Sequence, residues 1–230
     1  MGTLHPLLRG KFDRLCRGAA GIIAANDFLL EKAVALNPRC CKVPTAVDLA
    51  AYPPPEEKRR TSDGKMTAVW IGTPVTFPFL LELAPVLRQA ADRIRLLVVG
   101  GGAVVPGLEC TVVPWAEADE AKILASADCG LMPLPDTPFT RGKSSYKLLQ
   151  YFAAGLPVIA SPVGENRSVV TPECGFLADS PEEWLDAFAR LAESETRLRL
   201  AAGAAIRARD FALSLHGPRA ADFIASSLKR

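Results

Sequence analysis

The residues whose types and spacing could do chemistry are concentrated between Arg141 and Gly155. Lys143, Ser144, Ser145, Tyr146 and Lys147 open the apolar-periodic run Leu148-Leu149-Gln150-Tyr151-Phe152-Ala153-Ala154, which meets Gly155 and then Pro157. Ser144 is placed to cap a helix, Gly155 to terminate it and Pro157 to block its continuation, so a helix is expected over residues 145–154. Leu148, Leu149 and Phe152 share one face of it and would meet a sheet. Arg141, Lys143 and Lys147 then crowd positive charge at a helix end that the backbone dipole already makes positive, where cations are unfavourable. A phosphate or diphosphate held by the free N–H groups of the first turn would resolve the conflict. Three long basic side chains reaching into water, at about 0.3–1 kcal/mol each, would also resolve it. The residues leave both readings open.

Other chemistries have less to build on. Gly100-Gly101-Gly102 lacks the spacing of a dinucleotide fingerprint, because Val104, Val105 and Pro106 follow where a helix should open, and it reads as a flexible turn. Ser161-Pro162-Val163-Gly164-Glu165-Asn166 reads as a strand-to-helix connection. Neither His5 nor His216 has a nucleophile motif beside it, which argues against a Ser-His-Asp hydrolase. The 6 cysteines contain no Cys-x-x-Cys pair and only 2 histidines accompany them, so neither a metal site nor a cofactor is expected, and the thiols read as buried in a reducing compartment.

These groups need elements to position them. At 230 residues, with 49% hydrophobic and 23% charged side chains, the chain can bury a sizeable core, and disordered and fibrous classes are excluded. The 27 basic and 25 acidic residues are interspersed, without the basic, aromatic-laced stripe of a nucleic-acid binder. Residues 18–25 are apolar but short and flanked by Arg14, Arg17 and Asp27, so neither a signal peptide nor a transmembrane segment is expected and the protein should be cytoplasmic.

A proline-rich, then charged run over residues 53–64 separates two parts. After it, strands are expected near 67–72, 95–100, 110–114, 129–133, 157–161 and 175–177, with helices near 77–91, 118–126, 145–154 and 181–192. That alternation implies an α/β fold, a doubly wound, mostly parallel sheet. Domains are expected at 66–213, with a fragment at 1–51, a linker at 52–65 and a terminal helix at 214–230. The fragment offers a helix near 7–17, a strand at 21–25, a helix at 27–36 and a strand around 41–43. Gly21-Ile22-Ile23-Ala24-Ala25 is apolar enough for the middle of a sheet covered on both faces, yet has few neighbours. Either a missing N-terminal domain or self-association through residues 19–25 is expected to supply them.

The run Arg141-Gly142-Lys143-Ser144-Ser145-Tyr146-Lys147-Leu148-Leu149-Gln150-Tyr151-Phe152-Ala153-Ala154-Gly155-Leu156-Pro157-Val158-Ile159-Ala160-Ser161-Pro162-Val163-Gly164 resembles the signature of the retaining, group 1 (family four) glycosyltransferases of GT-B fold. The resemblance extends to Val69-Trp70-Ile71-Gly72, Val113-Pro114-Trp115 and Asp128-Cys129-Gly130-Leu131-Met132-Pro133, and Val43-Pro44-Thr45-Ala46-Val47-Asp48 is similar to the family's inter-domain crossing. It implies that the chain is mainly the C-terminal, Rossmann-like, nucleotide-sugar donor-binding domain. N–H groups at Ser144, Ser145 and Tyr146 would cradle the donor diphosphate, with Lys143 or Lys147 as cation. An acidic residue at the position of Gln150 would hold the ribose, and Pro114 and Trp115 would border the base. The family's usual two glutamates are here Gly142 and Gln150, and its Arg or Lys after the first strand is absent from Gly72-Thr73-Pro74-Val75-Thr76. The implied activity is sugar transfer from a nucleotide diphosphate donor, in a truncated chain inactive alone, with no catalytic residue assigned. A non-catalytic nucleotide- or sugar-binding module, a nucleotide-sugar epimerase of the same architecture and a protein-interaction fragment are the alternatives.

Overall fold

The computed structural model describes residues 10–53 and 64–228. Most of the run at 53–64 therefore lies outside the described residues, as do His5 and the first residues of the expected helix at 7–17. From Gly10 the chain forms α1 (Lys11–Gly18), β1 (Ile22–Ala24), α2 (Asp27–Val34) and β2 (Cys40–Lys42), and then a 3-10 turn over Leu49–Ala51. β1 and β2 pair in parallel as a two-stranded sheet.

Past Gly64, aliphatic runs alternate with amphipathic ones: β3 (Met66–Ile71), α3 (Phe77–Glu82), α4 (Ala84–Gln89), β4 (Ile94–Val99), β5 (Cys110–Val113), α5 (Glu117–Ala125), β6 (Cys129–Met132), α6 (Pro138–Arg141), α7 (Tyr146–Ala153), β7 (Val158–Ala160), α8 (Asn166–Val169), β8 (Gly175–Leu177), α9 (Pro181–Ala192), α10 (Ser194–Arg209) and α11 (Leu213–Leu228). The strands form one six-stranded parallel sheet in the order β5-β4-β3-β6-β7-β8. This is the doubly wound fold that the alternating pattern implies, with helices on both faces. Only the expected helix at 77–91 is divided, at Leu83, because Pro85 in the first turn of α4 has no N–H to continue the ladder.

One core lies where Leu148, Leu149 and Phe152 of α7 meet Leu124 of α5 and Ala204 and Ala208 of α10. The other packs Leu80, Leu87, Trp184 and Phe188 of α3, α4 and α9 against Ala68, Trp70, Leu96 and Val98. Between β3 and β6 the strand order changes direction, and there the Tyr151 hydroxyl is wedged: it accepts from Ile71 N–H at 2.9 Å and donates to Leu131 C=O at 3.2 Å. Gly130 makes room for its ring, since a Cβ there would lie 2.3 Å from it. A sheet propped open at its reversal point is where ligands of such folds bind.

The two parts meet through Val47, whose N–H donates to Phe211 C=O and whose C=O accepts from Leu213 N–H, both at 2.9 Å. α11 then returns to the first sheet, so closely that a Cβ on Gly21 would fall 2.8 Å from Ser227 Oγ and 2.9 Å from the Phe223 ring. β1 thus gains a helix beside it, but Ile23 stays 38% exposed and β1 has a single strand neighbour among the described residues. No helix among these residues is long and apolar enough to cross a membrane.

Candidate functional site

Loops leaving the carboxyl ends of the strands flank the β3/β6 reversal. α7 begins one residue later than its sequence suggests: Ser145, not Ser144, is the cap residue, and neither hydroxyl caps the helix. The reason is backbone geometry. Ser145 sits at φ 57°, ψ 21°, the one non-glycine residue in the left-handed region among those described, and its Oγ instead donates to Asn166 Oδ1 at 2.7 Å. Such a conformation costs about 1–3 kcal/mol and persists where its surroundings enforce it. Ser144, Ser145, Tyr146 and Lys147 consequently have N–H groups that meet no acceptor among the described residues. Gly155, at φ 67°, ends the helix in the left-handed turn that glycine adopts freely.

The three cations behave differently from one another. Arg141 is neutralised by Asp136 through two bonds of 2.5 and 2.9 Å, which hold the Asp136 carboxyl below its ordinary range. Lys143 Nζ lies 4.7 Å from the Phe139 ring centroid and Lys147 Nζ 4.5 Å from that of Trp70. Neither makes an ion pair among the described residues. Burial pushes both down, and with the charge of Lys143 beside it Lys147 falls to about 7. Lys147 is therefore half-buried and lies over Trp70 rather than reaching fully into water, at a helix end that should repel it.

The loop before α7 is held from behind. Buried Asn26, which caps α2 by accepting from Leu29 N–H at 2.8 Å, donates through Nδ2 to Lys143 C=O at 2.8 Å and to Arg141 C=O at 3.3 Å. The Ser161–Asn166 connection does more than join elements: Asn166 Nδ2 donates to Ser161 C=O at 3.0 Å, and Gly164, at φ 54°, lies where a Cβ would come within 2.8 Å of Arg141 C=O. Lys42 at the end of β2 pairs with Asp27 at 2.8 Å and Glu165 at 3.2 Å.

Lys147 and Gln150 are three positions apart and so share one side of α7. Gln150 is buried and its Nε2 donates to Glu120 Oε1 at 2.6 Å. Trp115 Nε1 donates to Glu120 Oε2 at 2.6 Å, and the Tyr52 hydroxyl donates to Glu120 Oε1. Burial, then the Glu120 carboxylate, drives the Tyr52 hydroxyl far above its ordinary pKa. One buried carboxylate thus gathers three donors from three separate segments, and Trp115, pinned by its N–H, keeps its ring half-exposed beside Pro114. Gln150, Pro114 and Trp115, which the family resemblance singles out, meet here around Glu120 and Tyr52, which it does not. Nothing local marks Glu120, which stands among Glu117 and Asp119 in a first turn that favours acids anyway.

Two other sequence candidates resolve into packing. Gly101 and Gly102 are not a loose turn: a Cβ would lie 2.4 Å from Pro74 and 2.5 Å from the Phe77 ring, so the loop after β4 is pressed onto the loop after β3. His216 is buried, with Nε2 2.8 Å from Asp210 C=O and Arg219 at its other nitrogen, away from any hydroxyl nucleophile. Among the described residues no group of His, Cys, Asp or Glu side chains could hold a metal ion.

Residues 68–194 match the family described as glycosyl transferases, group 1. A D-inositol 3-phosphate glycosyltransferase of Xylanimonas cellulosilytica is 27% identical over 220 residues, covering 82% of this chain and 51% of the relative, so the chain spans about half the length of that relative. Sucrose-phosphate synthase from Thermosynechococcus elongatus superposes with a TM-score of 0.74 at 17% identity, over 94% of this chain and 60% of that one. HepE of Anabaena, whose structure is a complex with UDP-glucose, gives 0.75 at 17% identity, over 95% of this chain and 67% of that one. At such identities the likeness to the two structures is one of fold.

Proposed function

The chain belongs to the group 1 glycosyl transferases, and from that premise we propose that it is the nucleotide-sugar-binding half of a GT-B enzyme, one that transfers a sugar from a nucleotide diphosphate donor to an acceptor with retention at the transferred carbon. The observation that carries this reading is the first turn of α7, where undonated N–H groups of Ser144, Ser145 and Tyr146 stand beside Lys143 and a half-buried Lys147 without an anionic partner among the described residues. A diphosphate placed there satisfies the N–H groups and restores the charge of Lys147. During transfer the same donors meet the charge that builds on the departing diphosphate, so that orientation and electrostatics replace an acid catalyst. The ribose lies along Gln150 and Glu120: a carboxylate offers about four acceptor positions, and the Tyr52, Gln150 and Trp115 bonds leave room for a hydroxyl. The base rests against Pro114 and the open face of Trp115. The UDP-glucose bound by HepE supports this ligand class.

The acceptor wall is proposed to come from polypeptide beyond this sequence or from a second copy seated on β1. Exposed Ile23 and the apolar groove shared by Ala20, Gly21, Phe223 and Ile224 support such a seat. Light scattering at rising concentration distinguishes the two, since only self-association raises the mass of the chain alone. A binding module without turnover is the second reading, favoured by Gly142 and Gln150 where the resemblance has glutamates. Donor binding is tested by thermal unfolding with UDP-, GDP-, ADP- and TDP-sugars: a true donor at a hundred times its Kd should stabilise by about 2.7 kcal/mol, and no shift with any of them would remove the reading. The chain as a lone protomer is expected to transfer nothing; radiolabelled donor offered once the acceptor wall is supplied separates enzyme from module, since only the enzyme then transfers sugar.

A further inference from the structure

We propose that Asn26 is a positioning residue for the loop before α7, so that the N-terminal segment sets the affinity of the anion site without touching the anion. This rests on reading that loop as a diphosphate site. Asn26 is 1% exposed and every polar atom of its side chain is engaged: Oδ1 caps α2, while Nδ2 reaches across to Lys143 C=O and Arg141 C=O. No cis peptide occurs among the described residues, and in a trans peptide the C=O of one residue and the N–H of the next point in opposite directions. Holding the Lys143 carbonyl toward Asn26 therefore turns the Ser144 N–H away from it, to the side where an anion would sit.

The next residue is held separately. Ser145 is left-handed and its Oγ is fastened to Asn166, so the loop is held at Ser145 by Asn166, while the peptide plane between Lys143 and Ser144 is held by Asn26. Without the Nδ2 bonds, that plane is free to rotate about the bonds flanking it and withdraw the Ser144 N–H from the anion. The N-terminal segment is itself tied to the same wall, through Lys42 to Glu165.

Cap and clamp can be separated by substitution. In Asn26→Ser the hydroxyl still caps α2 but is too short to reach both carbonyls; in Asn26→Asp the cap acceptor stays while the two donors become an acceptor facing carbonyls. Calorimetry with inorganic pyrophosphate, UDP and uridine reads the effect. Asn26→Ser is expected to bind pyrophosphate and UDP about tenfold more weakly, the loss of a buried hydrogen-bonded donor pair, with uridine affinity close to wild type although the thermal midpoint falls; Asn26→Asp should lose more. Unchanged pyrophosphate and UDP binding in folded Asn26→Ser would make Asn26 a cap and nothing else, and an equal loss for UDP and uridine would mean general loosening; either overturns the proposal while leaving the donor reading intact. Should Asn26→Ser not fold, the same comparison on Asn26→Asp decides. If the wild type itself prefers neither pyrophosphate nor UDP, GDP or ADP over nucleosides, the diphosphate reading fails and this inference with it.

Discussion

At the Glu120 end of the site each buried donor is matched by an acceptor, whereas at the Ser145 end four backbone N–H groups and two ammonium groups face no acceptor or anion among the described residues. The first end is a finished structure, with Tyr52, Trp115 and Gln150 locked around one carboxylate. The second is unfinished, strained at Ser145 and electrostatically frustrated at Lys147. On the proposed reading the difference is a division of labour: the matched end supplies shape, and the unmatched end supplies the free energy that an anion would release.

The largest effect is expected from breaking the matched end. Glu120→Leu should destabilise the chain by about 3 kcal/mol or more, because buried donors lose their acceptor at about 1–3 kcal/mol each; urea unfolding measures it. A loss of under about 0.5 kcal/mol, the size usual for a surface position, would show that the network is incidental. At the unmatched end the opposite pattern is expected. Lys147→Met should leave stability unchanged or raised, since a partly desolvated ammonium without an anionic partner is removed and a side chain that can cover Trp70 is kept, while weakening diphosphate binding by about 10- to 100-fold, the worth of a charge-assisted bond.

The same lysine makes the site sensitive to pH. Burial, with Lys143 beside it, lowers Lys147 from 10.5 to about 7, so folding favours its neutral form. Between these two values the unfolded chain binds more protons, and the contribution of this group to stability rises with pH. Diphosphate binding runs the other way: an anion favours the charged form, so binding takes up a proton and affinity should fall as pH is raised above about 7, with a slope approaching tenfold per unit. A calorimetric pH series checks the sign, and Lys147→Met should flatten it. The smallest effect sharpens the base side. Trp115→Phe keeps a ring but loses the N–H to Glu120, and should weaken nucleoside binding only a few-fold, about the 0.5–1.5 kcal/mol of one hydrogen bond.

How much of this was legible in the sequence follows from how local each signal is. The strands of the six-stranded sheet, α9 and the Gly155 stop are written in periodicity and turn chemistry, and they appear where those patterns place them. α10 was not, because its buried stripe is Leu200, Ala204 and Ala208, small residues that leave a faint apolar period. The charge conflict at α7 was legible, but its resolution was not: Asp136 removes Arg141 from it, and Trp70, far off in sequence, receives Lys147. Tyr52 and Asn26 acquire their roles through partners 68 and 117 positions away, and Glu120 joins its near neighbour Trp115 to Gln150, 30 positions on, and to Tyr52, links that no local pattern encodes.

The most direct test of the central claim is calorimetric comparison of nucleoside diphosphates with their nucleosides on the wild-type chain, across uridine, guanosine and adenosine. At least one diphosphate is expected to bind about 100-fold more tightly than its nucleoside, through charge-assisted bonds at Ser144–Lys147. Equal affinity within every pair would contradict an anion site at the start of α7.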